Sequence, residues 1–133
     1  MYAADTVSRV LPAVAVVAAD AALREAICFA LEAEGYATRS FESGEAVLSS
    51  GGLNDVACCV IDDRAGVDAV RLIEDLEAAG ERTSAVVLAT RPDGQLRAAC
   101  WRLGVPIVEK PILGDSLNAC VRGLLARRRP REN

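Results

Sequence analysis

The sequence predicts an α/β protein with a doubly wound parallel sheet of five strands. Five short segments of strand length, four of them apolar and one with alternating apolar residues, are each followed by a helical segment, and four of these helices have amphipathic apolar spacing. No glycine-rich phosphate loop follows the first strand, where Ala18-Ala19-Asp20-Ala21-Ala22 stands instead, so dinucleotide and P-loop folds are excluded. A chain of 133 residues suffices for one domain with a real core. We therefore expect a single domain over 1–133, with its core at about 13–126 and a basic tail at 127–133.

Capping and stop residues divide the first half of the chain. Residues 13–18 form a Val-rich run of strand length, and Asp20 is placed to cap the helix that follows. Gly35 ends that helix, and alternation predicts a second strand at 36–41. A short helix is expected from 43 to about 50, before a pair of glycines. The apolar stripe of the first helix consists of Leu23, Ile27, Ala30 and Leu31.

The second half continues the alternation. Residues 56–61 are apolar throughout, as expected of a strand buried on both faces, so the third strand should be central. Helices ending at Gly80 and Gly104 flank a fourth strand at 85–89, and a fifth strand is expected at 105–108 before the last helix. The apolar positions of these three helices are Val67, Val70, Ile73 and Leu76; Leu96, Cys100 and Leu103; and Leu117, Cys120, Val121 and Leu124.

Composition limits the possible functions. The chain contains no histidine, which excludes a Ser-His-Asp triad, imidazole metal ligands and a phosphohistidine donor. A net charge of -4 argues against a surface made for nucleic acid or anionic membrane. With 52% apolar but only 4% aromatic residues, the core must be built from Ala, Val, Leu and Ile. We expect neither an enzyme nor a protein that binds membranes or nucleic acid.

The cysteines and the N-terminal segment bear on the compartment. Five cysteines are an odd number without C-x-x-C spacing, so neither a disulfide framework nor a zinc site is indicated. The adjacent Cys58 and Cys59 suggest a redox switch, but successive strand residues point to opposite faces. The apolar run 10–19 imitates a secretory signal, yet Asp5 neutralises its basic end and cleavage would remove the first strand. A reducing cytoplasm is the expected location.

Three polar side chains stand just past three predicted strands. They are Asp62, Thr90 and Lys110. Because ligand sites of parallel α/β sheets lie outside the carboxyl ends of the strands, these side chains should converge on one rim. The sequence thus predicts a pocket that contains a carboxylate, a hydroxyl and an ammonium group.

This order and spacing resembles the receiver domain of two-component response regulators, the CheY-like superfamily. The resemblance covers residues 14–125 approximately and implies a flavodoxin-like, three-layer (βα)5 sandwich. It depends on three motifs in order: Val16-Val17 before an acidic turn and Leu23-Arg24-Glu25, Cys59-Val60-Ile61-Asp62-Asp63-Arg64, and Glu109-Lys110-Pro111.

The resemblance implies a role for each of the three side chains. Asp62 takes the phosphoryl group, Thr90 senses it and Lys110 pairs with it, while the Lys110–Pro111 peptide bond is cis. It also implies Mg²⁺ as cofactor, a sensor histidine kinase or phosphotransfer protein as donor, and a signalling face formed by the fourth helix, fifth strand and fifth helix. A protein partner or a second copy of the chain would dock on that face.

The chain departs from the family pattern where the metal should be held. Ala18 and Ala19 stand in place of the acidic pair after the first strand. The remaining candidate ligands are Asp20, Asp62 and the backbone carbonyl of Arg64. Asp63 is an alternative to Asp20. Mg²⁺ demands near-octahedral oxygen ligands, so losing both carboxylates should weaken its binding heavily.

Other departures and open alternatives concern the switch. The loop after Asp62 is shorter than usual, and Ile107 stands where an aromatic residue commonly changes rotamer. Asp62, Thr90 and Lys110 also have a purely structural interpretation as a capping residue, a β-branched strand residue and an ion-pair partner. Trp101 fits a partner surface or the core equally well. We expect an atypical receiver in which Asp62 is the candidate phosphoacceptor and conventional phosphorylation is weak or absent; the alternative is a pseudo-receiver that binds partners independently of phosphorylation.

Overall fold

One parallel sheet of five strands, covered by helices on both faces, forms the domain. The computed structural model describes residues 13–64, 66–81, 83–112 and 114–127. Most of the predicted basic tail lies outside the described residues, as does the start of the apolar run 10–19. The strands are β1 (Ala13–Val17), β2 (Ala37–Phe41), β3 (Val56–Asp62), β4 (Ser84–Ala89) and β5 (Ile107–Glu109). The helices are α1 (Ala21–Ala33), α2 (Gly44–Leu48), α3 (Ala69–Ala78), α4 (Gly94–Leu103) and α5 (Ser116–Arg127).

The strand order β2-β1-β3-β4-β5 confirms the predicted doubly wound sheet with β3 at its centre. All four strand pairings are parallel. The chain moves to one side after β1 and to the other after β2, so the topological switch lies between β1 and β3. In sheets of this order, ligands bind outside the carboxyl ends of the strands at that point.

Two apolar cores lie on opposite faces of the sheet. One face is covered by α2, α3 and α4, and the other by α1 and α5. Cys59 belongs to the first core and Cys58 to the second, because successive strand residues alternate. Burial raises the pKa of the Cys59 thiol to about 12, so it stays protonated at neutral pH. This does not favour the redox interpretation, because the thiolate is the reactive form.

Helix boundaries follow from side-chain caps and one left-handed residue. Asp20 caps α1 by accepting hydrogen bonds from the backbone N–H groups of Ala22 and Leu23. Asp93 caps α4 in the same way through the N–H of Leu96. Gly104 ends α4 at φ 71°, a conformation that glycine adopts without strain.

Two expectations change at the α4-β5 segment. The fifth strand begins at Ile107 rather than at residue 105. Proline has no N–H to donate to a ladder, although the carbonyl of Pro106 still accepts from the N–H of Val87. A core role for Trp101 is wrong, since this side chain is 88% exposed and α4 buries Cys100 instead. Over the described ranges, the structure contains no helix with the length and apolar character of a membrane span.

Candidate functional site

The carboxyl ends of β3, β4 and β5 are held together by backbone hydrogen bonds. Asp62 is the last residue of β3 and lies in register with Leu88 of β4. The N–H of Asp63 donates to the carbonyl of Leu88 at 2.8 Å, and the N–H of Lys110 donates to the carbonyl of Ala89 at 2.9 Å. These bonds place Asp62, Lys110 and the residue after β4, Thr90, at one rim of the sheet.

Asp62 and Lys110 form a direct ion pair. The Lys110 Nζ donates to Asp62 Oδ1 at 2.6 Å. Asp62 has 0% exposure and is the one buried charged residue in the part of the chain that the structure describes. Lys110 keeps 18% of its side chain exposed. A buried carboxylate is tolerated only when it is paired, so Lys110 is what allows Asp62 to occupy this position.

The guanidinium group of Arg64 lies between two carboxylates. Its Nη1 atom is 3.8 Å from Asp20 Oδ2 and 3.9 Å from Asp62 Oδ2. At these separations the contacts are ion pairs rather than hydrogen bonds. Within the described residues Asp62 Oδ2 has no hydrogen-bond partner. One oxygen of Asp62 is therefore held by Lys110, and the other faces a cation without a directed bond.

The neighbouring carboxylates are already engaged. Asp20 Oδ1 caps α1, which leaves Oδ2 turned toward Arg64. Asp63 Oδ1 accepts from the N–H of Ala69 at 3.0 Å and is thereby directed to the start of α3. The carbonyl of Arg64 accepts from the N–H of Val67 at 2.8 Å. Of the expected ligands, only Asp20 and Asp62 turn an oxygen atom toward the same place, which is the guanidinium group of Arg64.

Small residues and a second arginine occupy the end of β1. Ala18 is buried, and its carbonyl accepts from Arg24 Nη1 at 2.7 Å. The loop after β3 comes so close to Ala19 that a Cβ built on Gly66 would lie 3.0 Å from the Ala19 Cβ. The methyl group of Ala19 thus lies against the loop in the place where the family has an acidic side chain.

These residues do not fit a magnesium ion. Mg²⁺ binds oxygen ligands in strict octahedral geometry, and here a guanidinium group lies between the two carboxylates that face the pocket. No cluster of three or more His, Cys, Asp or Glu side chains that could hold a metal occurs among residues 13–64, 66–81, 83–112 and 114–127. The ligand set of Asp20, Asp62 and the Arg64 carbonyl stays a prediction that the geometry does not favour.

The remaining candidate residues lie around this rim. Thr90 is exposed, and the next residue, Arg91, adopts φ 46°, which is unusual for a residue with a side chain. Ile107 is half-buried and pairs with Val87. The Lys110–Pro111 peptide bond is cis. The sequence predicted only the carbonyl of Arg64 as a site group and not its side chain; a cation two residues after a buried carboxylate was the available signal.

Solved structures of response-regulator receiver domains share this fold. The crystal structure of FixJ-N has a TM-score of 0.79 at 18% identity, covering 91% of this chain and 98% of that one. The Francisella response regulator 1452 receiver domain has a TM-score of 0.76 at 22% identity, covering 88% and 98%. The fold of this chain is that of the CheY-like receiver domains, and its sequence similarity to FixJ, given next, identifies it as a receiver domain.

The chain is also similar in sequence to the transcriptional regulatory protein FixJ. It is 33% identical over 110 residues to FixJ of Azorhizobium caulinodans, which covers 81% of this chain and 52% of that protein. The FixJ of Bradyrhizobium diazoefficiens is 26% identical over 113 residues, covering 84% and 55%. The chain therefore spans about half the length of the curated relatives it matches. No protein-family model matches the chain.

Proposed function

We propose that this domain is an atypical two-component receiver that accepts a phosphoryl group on Asp62 and acts on a protein partner through its α4-β5-α5 face. The observation that carries the proposal is the state of the Asp62 carboxylate. It is buried at the topological switch point, with Oδ1 bound by Lys110 and Oδ2 without a hydrogen bond. Oδ2 is the oxygen left to act as nucleophile.

The chemistry is a phosphoryl transfer to a carboxylate. Asp62 Oδ2 attacks the phosphorus of a phosphohistidine on a sensor kinase or phosphotransfer protein, and the P–N bond breaks. The departing imidazole nitrogen takes a proton, and an acyl phosphate remains on Asp62. The Lys110 ammonium and the Arg64 guanidinium lie at the two oxygens of Asp62, where they offset the incoming negative charge. Thr90, next to the pocket, would then bind a phosphoryl oxygen.

The partner surface is supported by an exposed tryptophan. Trp101 is 88% exposed on α4. Arg97, one helical turn earlier, donates to Glu109 Oε2 of β5 at 2.7 Å. Residues four apart share a helix face, which supports our placing of Trp101 on the side of α4 next to β5. Aromatic anchors of this kind are typical of protein interfaces, and we propose that a protein partner, or a second copy of the chain, covers it.

A pseudo-receiver is the second candidate, and a specific observation favours it. The Asp62 side chain has no solvent exposure, and both its oxygens face cations. In this alternative the carboxylate is a structural anchor of the rim, and the α4-β5-α5 face has one fixed conformation. Signalling would then depend on partner binding alone.

The test is the intact mass of the protein after incubation with acetyl phosphate, with and without Mg²⁺. We expect the wild type to gain one phosphoryl group and Asp62→Asn to gain none, because the acceptor oxygen is lost. Asp68→Asn is the matched control and should be labelled like the wild type, since its carboxylate caps α3 outside the pocket. An unlabelled wild type beside a labelled Ala18→Asp/Ala19→Asp variant would establish the pseudo-receiver instead.

A further inference from the structure

We propose that Arg64 is the resident cation of this pocket: its guanidinium group takes the place of a divalent cation, and the wild-type domain does not bind Mg²⁺ there. Receiver domains normally bind Mg²⁺. In this chain the guanidinium lies 3.8 Å from Asp20 Oδ2 and 3.9 Å from Asp62 Oδ2. A metal ion bound at this rim would need these two carboxylate oxygens as its first protein ligands.

The charge of the pocket is already balanced. Two carboxylates, Asp20 and Asp62, face two cations, Lys110 and Arg64. A divalent ion entering this group would meet both positive charges at short range, and the repulsion from Lys110, which is only 18% exposed, would be weakly screened. To bind both Oδ2 atoms at once it would also have to take the place of the guanidinium, which is the group close to both of them.

The loop holds Arg64 in this position through its backbone. The Arg64 N–H donates to the Val67 carbonyl at 3.1 Å, and the Val67 N–H donates back at 2.8 Å. This pair of bonds forms a small antiparallel bridge around Gly66, whose missing side chain lets the loop approach Ala19. Ala18 and Ala19 therefore remove the acidic pair that would hold a divalent ion. Arg64, on the loop after β3, supplies the positive charge in place of that ion.

This inference deepens the proposed function, because it makes phosphorylation of Asp62 independent of Mg²⁺. Its test measures metal binding directly, so it gives a result whether or not Asp62 can be phosphorylated. Mn²⁺ serves as a paramagnetic probe that broadens the backbone amide NMR signals near its binding site, and Mg²⁺ serves as the competitor.

We expect Mn²⁺ to cause no saturable broadening near Asp62 in the wild type. Arg64→Ala should gain a site that broadens the amides around Asp62 and Asp20 and is reversed by Mg²⁺, because the Oδ2 atoms of both carboxylates lose their cation and Mg²⁺ binds through one or two carboxylates and several waters. The apparent affinity should rise at least about tenfold, since a unit positive charge next to the ion is removed. Arg71→Ala is the matched control: it removes an exposed arginine of α3 and should behave like the wild type.

Three results would overturn the inference: saturable, Mg²⁺-reversible binding near Asp62 in the wild type, no gain in Arg64→Ala, or an equal gain in Arg71→Ala. Arg64→Gln, which keeps a polar side chain of similar length, repeats the test if the alanine variant does not give a folded spectrum. The mass experiment separates the two ideas. If the wild type is phosphorylated only in the presence of Mg²⁺, this inference is wrong and the proposed function is supported. If the wild type is not phosphorylated under any condition but the Mn²⁺ titration gives the expected result, the proposed function is wrong and this inference is supported.

Discussion

The Asp62–Lys110 pair shows how a single contact determines the state of the site. Removing a carboxylate from water costs several kcal/mol, and the ammonium group at 2.6 Å offsets much of that cost. Such pairs often add little net stability compared with apolar residues, but breaking one leaves an uncompensated buried charge. The pair is therefore better understood as a device that positions a charged oxygen than as a source of stability.

Lys110→Met should reveal this asymmetry. We expect a loss of unfolding free energy toward the lower end of about 3–5 kcal/mol, because Lys110 is partly exposed and Arg64 still faces Asp62. The double variant Asp62→Asn/Lys110→Met should recover most of the loss, since it removes the unpaired charge. Urea denaturation followed by circular dichroism measures both. A double variant no more stable than Lys110→Met would show that the lysine stabilises the fold by packing alone.

At the scale of elements, α4 and α5, which precede and follow β5 in the chain, have glycines in different backbone conformations. Gly104 ends α4 at φ 71°, whereas Gly123 lies inside α5 with a backbone conformation open to any residue. A Cβ added at either position would meet nothing within 4 Å. The two sites therefore differ in backbone conformation and not in space.

The same substitution should have opposite signs at these two sites. Gly104→Ala should lower the unfolding free energy by about 1–2 kcal/mol, the cost of placing a Cβ in the left-handed region. Gly123→Ala should raise it by about 0.5–1 kcal/mol, because alanine is the better helix former. Thermal and urea unfolding of the two variants provide the measurement. If both changed stability in the same direction, the conformation of Gly104 would not be what selects glycine.

At the scale of the whole molecule, the doubly wound sheet separates the rim that holds Asp62 from the proposed partner surface. The rim lies at the carboxyl ends of the central strands, and Trp101 lies outside both cores on α4. We propose that a change at the rim reaches this face through β5, where Glu109, the residue before Lys110, is bound to Arg97 of α4. The proposed signalling path is therefore short and passes through β5.

Trp101 should prove dispensable for folding. Trp101→Ala should change the unfolding free energy by less than about 0.5 kcal/mol, as surface substitutions do. Leu88→Ala, at a fully buried position of β4, should cost about 2–5 kcal/mol. The emission of Trp101, the one tryptophan of the chain, should be quenched by acrylamide almost as readily as free indole. Weak quenching at high dilution would place the indole inside the domain and remove the proposed partner surface.

The sequence by itself determined the order and kind of the elements. Apolar runs such as that of β3, capping residues such as Asp20 and stop residues such as Gly35 act locally, so their effects can be recognised in a single stretch of chain. The sequence also determined which residue types stand at the strand ends, including Ala18 and Ala19 where the family has carboxylates. These features suffice for the doubly wound fold, the central position of β3, and the expectation that Asp62 and Lys110 meet.

Only the tertiary structure decided where the long side chains lie. Arg64 reaches Asp20 because the loop after β3 packs on the end of β1, and that approach depends on Gly66 lying against Ala19. Trp101 is exposed because Cys100, its neighbour in α4, is turned to the sheet. The physical reason is the same in both cases: the position of a flexible side chain depends on contacts between segments distant in sequence, which local patterns do not specify.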